Sequence, residues 1–362
     1  MKVDSTDDAV SILRNESGTP ALNREPARET GTFTMAIAEP GAALGWTALN
    51  GRWSTWLRRR EWACGYLLMS PTILVMVAML IVPMIALVVI SFWTQTVLEI
   101  DPTFTLENYW HLIEPAGEGD EVPTWLGIPF PLKRAVYIIL LLKSILMSLS
   151  ATVAVILLAY PMAYFLAFRV KRHKMIWLMA ITLPFWTSYL LRVFSWKLML
   201  GFGGVINSGL MKLDFIDKPL EFLLYNPTAV VITLAHSWVA FAILPIYVSL
   251  EKIDRSLLEA ASDLGDKPWE RFLRVTLPLS MPGLISSALL VFIPTVGDYV
   301  TPTLVGGPSG IMVGNAIQTL FYRVNNIPLG SALSLVMMLL VTLLVCLFLW
   351  AVGYRKIQQR AA

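Results

Sequence analysis

The chain alternates between long apolar runs and shorter polar connections, with runs at approximately 66–94, 144–168, 175–199, 226–250, 279–304 and 331–353. Each is long enough for a helix rising about 1.5 Å per residue to cross roughly 30 Å of hydrocarbon. Backbone groups in lipid must be satisfied within their own segment, and these runs are too long for tilted barrel strands, so the pattern predicts helices. The expected fold is all-α, a polytopic membrane bundle of six transmembrane helices. Composition agrees, with 56% hydrophobic and 15% charged residues against about 25% charged in a soluble domain.

Polarity also divides the chain. Residues 1–60 are expected to form a largely disordered tail, rich in Gly, Pro, Ser, Thr and acids over its first fifty positions and without a sustained period. It opens on Asp4, Asp7 and Asp8 instead of the basic start and apolar stretch of a secretory signal. A membrane domain over 61–355 and a short tail over 356–362 follow. Sixteen Lys and Arg lie at 52–60, 169–174, 252–274 and 355–360, whereas the polar parts of the other connections hold five: Lys133, Arg134, Lys212, Lys218 and Arg323. Because positive residues stay on the cytoplasmic side, both termini are expected there. The net charge of +3 thus comes with a topology signal and argues against nucleic-acid binding. Cys64 and Cys346 lie in or beside apolar runs and suggest neither a disulfide framework nor a metal cluster.

Two connections are long. The one over 95–143 is acidic at first (Glu99, Asp101, Glu107, Glu114, Glu118, Asp120, Glu121) and apolar over 135–143, a pattern that suggests an interfacial helix. It is either a solvated connector or a docking surface for an external partner. The loop over 251–278 carries Leu257, Leu258, Ala261, Leu264, Phe272, Leu273 and Val275 at helical spacings among charges. It predicts two short amphipathic helices parted by Gly265 and Pro268. Small Ala260 and Ala261 would permit close approach of a partner, and Glu259 could accept a charge-assisted bond from it. An interfacial helix packing only under its own bundle is the alternative.

Glu259-Ala260-Ala261, three residues, Gly265, nine residues, then Val275-Thr276-Leu277-Pro278 resemble the EAA loop of binding-protein-dependent ABC importer permeases, with Val275 where the family pattern has isoleucine. Further stretches are similar to the spermidine/putrescine permease subfamily: YPMAYFLA (160–167), LPFWTSYLLRVFSW (183–196), LPIYVSLEKIDRSLLEAASDLG (244–265) and LLVFIPTVGDYVTPTLVGGPSGIMVGNAIQ (289–318). The tail before residue 50 and an insertion around 114–130 fall outside the resemblance. It implies a type I ABC importer permease (MetI-like) fold in the bacterial inner membrane, with residues 251–278 as the coupling loop. Glu259, Ala260, Ala261, Leu264, Gly265, Pro268, Leu277 and Pro278 would then face the ATPase. The implied partners are a second permease subunit, an ATPase dimer that binds ATP and Mg, and an extracytoplasmic solute-binding protein, besides membrane lipid. No GxxxxGK[ST] phosphate loop occurs in the chain, so nucleotide chemistry is expected on another chain. No paired carboxylates or nucleophile with a base emerge, and the chain is not expected to be an enzyme.

Polar and aromatic groups within the spans are candidates for a solute path. Asp298 with Tyr299 could guide an organic cation; alternatively its carboxylate caps a break at Gly297 or pairs with Arg192. Pro294, Gly297 and Pro302 weaken the fifth helix, either to line a path or as a packing kink. Phe185, Trp186, Trp196 and Trp238 either line the route or anchor the bundle at its interfaces. Arg192 and Lys197 read as side chains reaching for headgroups or else as part of the path, and His236 as hydrogen-bonded structure or else as a titrating group. Gly306, Gly307, Pro308, Ser309 and Gly310 can form tight turns facing the binding protein or simply join two helices. Three functions remain: an importer subunit for a polyamine or another small solute such as an opine or amino-acid derivative, an ion-gradient carrier, and a non-transporting scaffold.

Overall fold

The computed structural model describes residues 61–361 apart from 97–98, 114–123, 126–127, 130–134 and 221–222. The expected disordered tail and most of the acidic stretch after Ile113 lie outside the described residues. The chain falls into two units, Met1–Pro71 and Thr72–Ala362; every element beyond the opening of the first helix belongs to the second.

Helix α1 (Glu61–Ser91) is followed by a small hairpin, β1 (Thr94–Thr96) with β2 (Glu99–Asp101), and by α2 (Glu107–Ile113). A second short pair, β3 (Thr124–Trp125) and β4 (Ile128–Pro129), precedes α3 (Val136–Tyr164), which continues through a wide turn over Phe165–Arg169. Then come α4 (Lys174–Thr182) with a tight turn Leu183–Trp186, α5 (Tyr189–Leu200), α6 (Val205–Lys212), α7 (Pro227–Glu251) and α8 (Arg255–Asp263). Helix α9 (Pro268–Arg271) leads through a wide turn Phe272–Thr276 into α10 (Leu277–Val296), and α11 (Val313–Thr319) and α12 (Ile327–Ala361) complete the order.

Among the described residues six stretches are long and apolar enough to cross a membrane: Leu68–Ser91, Val136–Arg169, Tyr189–Lys212, Pro227–Glu251, Pro268–Val296 and Ile327–Gly353. Their number matches the hydrophobic pattern, but three details differ from it. The apolar stretch 135–143 is no interfacial helix. It forms the first turns of α3, with Ile139, Leu141 and Lys143 buried. The third run is split at Thr187–Ser188 into an apolar helix, Lys174–Trp186, and the stretch from Tyr189 onward. The second amphipathic helix expected in the loop is not free, because α9 runs through Phe272–Thr276 into the fifth span.

The core lies where α3, α7 and α10 meet. Val155, Ala159, Ala163, Ala242, Ile243, Ile246 and Val291 are buried there. A second cluster, including Met147, Ala151, Val193, Leu234, Val305 and Met312, joins α3 and α7 to α5 and the segment after α10. Gly283 sets the spacing of α7 and α10: a Cβ at this position would stand 2.4 Å from the Pro245 carbonyl oxygen and 2.4 Å from Ser249 Oγ. Small residues permit this kind of backbone approach in lipid, where packing rather than hydrophobic exclusion holds helices together. One turn further along α10, Ser287 Oγ donates to the Ala242 carbonyl at 2.8 Å, close to the gap that Pro245 leaves in the α7 ladder. Tyr160 and Ser280 hydroxyls pair at 2.8 Å, tying α3 to α10.

At the opposite end from residues 251–278, the hairpin clamps the start of α12. Gln95 Oε1 accepts from the Ile327 amide at 2.9 Å, and Gln95 Nε2 donates to the Asn325 carbonyl. Asn108 Nδ2 donates to the carbonyls of Ser91 and Trp93 at 2.9 and 2.8 Å, fixing α2 beneath the end of α1. The buried Lys143, 2% exposed, is a lone cation within the apolar run VYIILLLKSILMSLS.

Gly283→Ala is expected to destabilise the purified protein by about 1–3 kcal/mol, since the added methyl must displace backbone. Thermal unfolding in detergent measures this, and Ser249→Gly combined with it should recover part of the loss.

Candidate functional site

The loop after α7 is a stiff structure built from local rules. Asp254 caps α8: its Oδ1 accepts from the Ser256 amide at 3.0 Å, and the bonds from Ser256 hold its carboxyl below its usual range. The helix ends at Gly265, whose φ of +91° is costly for residues with a Cβ. Its amide donates to the Ser262 carbonyl at 3.0 Å and that of Asp266 to the Ala261 carbonyl at 3.1 Å, the paired closure of a Schellman end. Pro268 then opens α9 at its first turn, where a missing amide costs nothing. Glu270 Oε2 accepts from the Lys267 amide at 3.0 Å, and Arg274 pairs with Asp266 at 2.7 Å.

This geometry separates two faces. Ile253 and Ala261 are buried at 8% exposure each; Ile253 belongs to the core cluster and Leu258 leans on it. Leu257, Ala260 and Leu264, spaced three and four apart, are exposed beside this contact, as is Glu259. Leu264 is 88% exposed. The two alanines that stand together in the sequence therefore part company, Ala261 facing the bundle and Ala260 facing outward. Leu277 packs against the core cluster, while Pro278 is exposed.

Further along the spans, the fifth helix ends at Val296 and the chain is helical again from Val300. Pro294 lies inside α10, and Pro302 opens the wide turn Pro302–Gly306 beyond the break. Asp298 Oδ1 accepts from the Val300 amide at 2.9 Å and so caps the resumed helix. Its Oδ2 accepts from Tyr189 Oη at 2.6 Å, and the same hydroxyl pairs with Thr301 Oγ1 at 2.7 Å. Asn315 Nδ2 donates to the Tyr299 carbonyl at 2.9 Å and to Thr303 Oγ1 at 2.7 Å. A Cβ on Gly314 would meet the Gly297 carbonyl oxygen at 2.6 Å, so α11 rests directly on the break.

Arg192 does not pair with Asp298. Its Nη1 donates to the Ser237 carbonyl at 3.1 Å, and its guanidinium lies 4.5 Å from the centre of the Phe185 ring and 5.8 Å from that of Tyr189. Arg192, Phe185, Trp196 and His236 line a cavity of about 560 Å³ whose other walls are largely apolar. Two of the predicted aromatic residues, Phe185 and Trp196, thus meet at one cavity. Trp238 instead packs beside Tyr189 and Phe241, and Trp186 is 87% exposed. Asp298 and Tyr299 do not line that cavity; they occupy the break on the far side of Tyr189. Tyr189 escapes sequence reasoning, because one tyrosine among many aromatics carries no signal until its partner is known.

The glycine-rich stretch beyond the break is packed down. Gly307 has φ +59°, and a Cβ there would approach the Tyr225 carbonyl oxygen to 2.7 Å. Gly306 and Gly310 are buried, leaving Pro308 and Ser309 exposed. Among the described residues no group of three or more His, Cys, Asp or Glu could hold a metal ion.

Six apolar helices, a capped amphipathic loop helix between the fourth and fifth, and a fifth span broken near one end define a multi-pass membrane permease subunit. The family model for the binding-protein-dependent transport system inner membrane component matches residues 210–360. The spermidine/putrescine transport system permease protein PotB of Escherichia coli (strain K12) is 34% identical over 245 residues, 68% of this chain and 82% of the relative. PotB of Haemophilus influenzae is 35% identical over 244 residues, 67% and 78% of the two chains. The chain therefore belongs to the family of binding-protein-dependent ABC importer permeases of the inner membrane, which are transport components and not catalytic ones. A bacterial ABC transporter involved in the import of the acidic polysaccharide alginate shares the fold, with a TM-score of 0.58 at 16% identity over 83% of this chain and 98% of that one.

Gly265→Ala is expected to cost roughly 1–2 kcal/mol locally through the left-handed backbone alone, since the space around its Cβ is open. Hydrogen exchange should then quicken across 255–266, and Gly265→Asn should show a smaller effect.

Proposed function

We propose that the chain is one of two permease subunits of an ATP-driven importer that moves a polyamine or a related small organic cation into the cytoplasm. The observation that carries the reading is the loop helix α8, capped at both ends and exposing Leu257, Ala260 and Leu264 beside Glu259 on the more basic side of the bundle. An apolar stripe three and four residues apart on a rigid helix is what a groove on a soluble partner recognises. That partner is an ATPase dimer, which supplies ATP and Mg; this chain supplies the contact. The charge asymmetry of the connections supports cytoplasmic termini, with the glycine-rich stretch and the β1–β2 hairpin outside, where a solute-binding protein delivers cargo.

The polyamine assignment draws on the relatives' names and on Asp298. Its carboxylate accepts from a tyrosine hydroxyl and an amide, and among the described residues no cationic side chain pairs with it. An anion without a counter-charge among Tyr189, Tyr299 and Trp238 suits a passing ammonium group. Phe185 and Trp196 belong to the same route through the cavity beside Tyr189. The breaks at Thr187–Ser188 and at Gly297–Tyr299 are where the third and fifth spans would flex as the ATPase closes. An ion-gradient carrier has no use for an exposed apolar loop helix of this kind.

In proteoliposomes holding the complete complex, Glu259→Arg is expected to lower solute-stimulated uptake by roughly tenfold or more, as placing the wrong charge at an interface does. Unchanged ATP-dependent uptake would contradict the coupling role. Competition of labelled putrescine uptake by spermidine, but not by neutral or acidic solutes of similar length, checks the cargo class.

A further inference from the structure

Lys174 is the first residue of α4, and its ammonium holds the foot of the third span to the bundle. The Nζ donates to both carboxylate oxygens of Glu251, at 2.7 and 2.9 Å, and to the Ala167 carbonyl at 3.3 Å. Glu251 closes α7, and Ala167 sits in the wide turn that ends the second span. That turn places a backbone carbonyl within reach of the ammonium, and the chain between the two is bent sharply at His173, whose φ is +59°. One ammonium therefore gathers the feet of the second, third and fourth spans.

Two facts make this more than a surface ion pair. The rest of α4 is loosely held, with no fully buried residue between Lys174 and Thr182; only Leu178 and Ile181 lean on the core cluster. And Glu251 stands just before Asp254, the residue that caps the loop helix α8. Movement of α8 thus reaches Glu251 through a very short connection. From there the ion pair is a direct polar link to the span that carries Phe185, Tyr189, Arg192 and Trp196.

We infer that Lys174 and Glu251 are positioning residues that pass movement of the loop helix to the third span, and so couple events at the ATPase to the solute path. The inference rests on the proposed coupling role of 251–278. The pair is partly exposed, with side chains at 26% and 42%, and pairs of this kind add little to stability. Its loss is therefore expected to leave the protein folded while loosening the transmission.

The test uses the full transporter in proteoliposomes with its ATPase and binding protein, measuring solute taken up per ATP hydrolysed. Lys174→Met and Glu251→Gln are each expected to keep solute-stimulated hydrolysis near the parent level while the uptake-to-hydrolysis ratio falls about threefold or more, the range seen when one element of a coupling network is weakened. Lys174→Arg should retain the ratio, and the exchanged pair Lys174→Glu with Glu251→Lys should restore much of it. An unchanged ratio in both single variants overturns the inference, as does an exchanged pair no better than either single one. If a variant melts well below the parent in detergent, the pair is holding the fold instead, which also overturns it. Absence of solute-stimulated hydrolysis in the parent complex is a separate result and counts against the importer reading itself.

Discussion

In hydrocarbon, a backbone amide or carbonyl without a partner costs several kcal/mol, and much of the arrangement of this permease stems from that constraint. The spans are interrupted by prolines, which have no amide to donate to the helix ladder, and by glycines, which permit breaks and close approaches. The structure answers with side chains from neighbouring segments. Ser287 reaches the Ala242 carbonyl near Pro245, and Asn315 takes the Tyr299 carbonyl at the break in the fifth span. Asp298 turns back to cap the amide of Val300. The irregular backbone at the break is thus held by a polar group of its own segment and by one from a neighbouring helix.

The two ends of the bundle obey different rules. Away from residues 251–278, the chain is pinned by many polar contacts between connections: Gln95 on the start of α12, Asn108 under the end of α1, and the glycine-rich turn pressed on Tyr225. At the other end one loop helix stands proud of the core, rigid within itself but leaving its apolar stripe uncovered within this chain. A pinned rim at one end and a projecting helix at the other suit a subunit that is pushed from one side. The broken third and fifth spans lie between the two, latched to each other through Tyr189 and Asp298.

Much of this is legible in the order of residues. Six crossings follow from run length, and Gly265 and Pro268 mark the two ends of the loop turn because few other residues fit a left-handed cap and a first helical turn. The break around Gly297 follows from Pro294 and Pro302 on either side of it. What cannot be read depends on partners distant in the chain. Ala260 and Ala261 are neighbours in sequence but point about 100° apart on a helix, and which of them is buried is set by Ile253 and Leu258 docking below. Arg192 reads as a residue bound for headgroups, and only the position of Phe185 and of the Ser237 carbonyl shows it turned to a cavity. The 135–143 segment reads as interfacial because it adjoins an acidic stretch, whereas its register continues into α3 and buries Ile139 and Leu141.

The function turns on whether α8 meets a nucleotide-hydrolysing partner. The most direct measurement places a cysteine at Leu264, an 88% exposed side chain at the end of that helix, in a version lacking Cys64 and Cys346, and follows cross-linking within the assembled complex. A coupling helix predicts a cross-link from position 264 to the ATPase subunit that changes in yield when nucleotide is added. Labelling of the same cysteine by a lipid-dissolved reagent, with no cross-link to any ATPase under either condition, would contradict it.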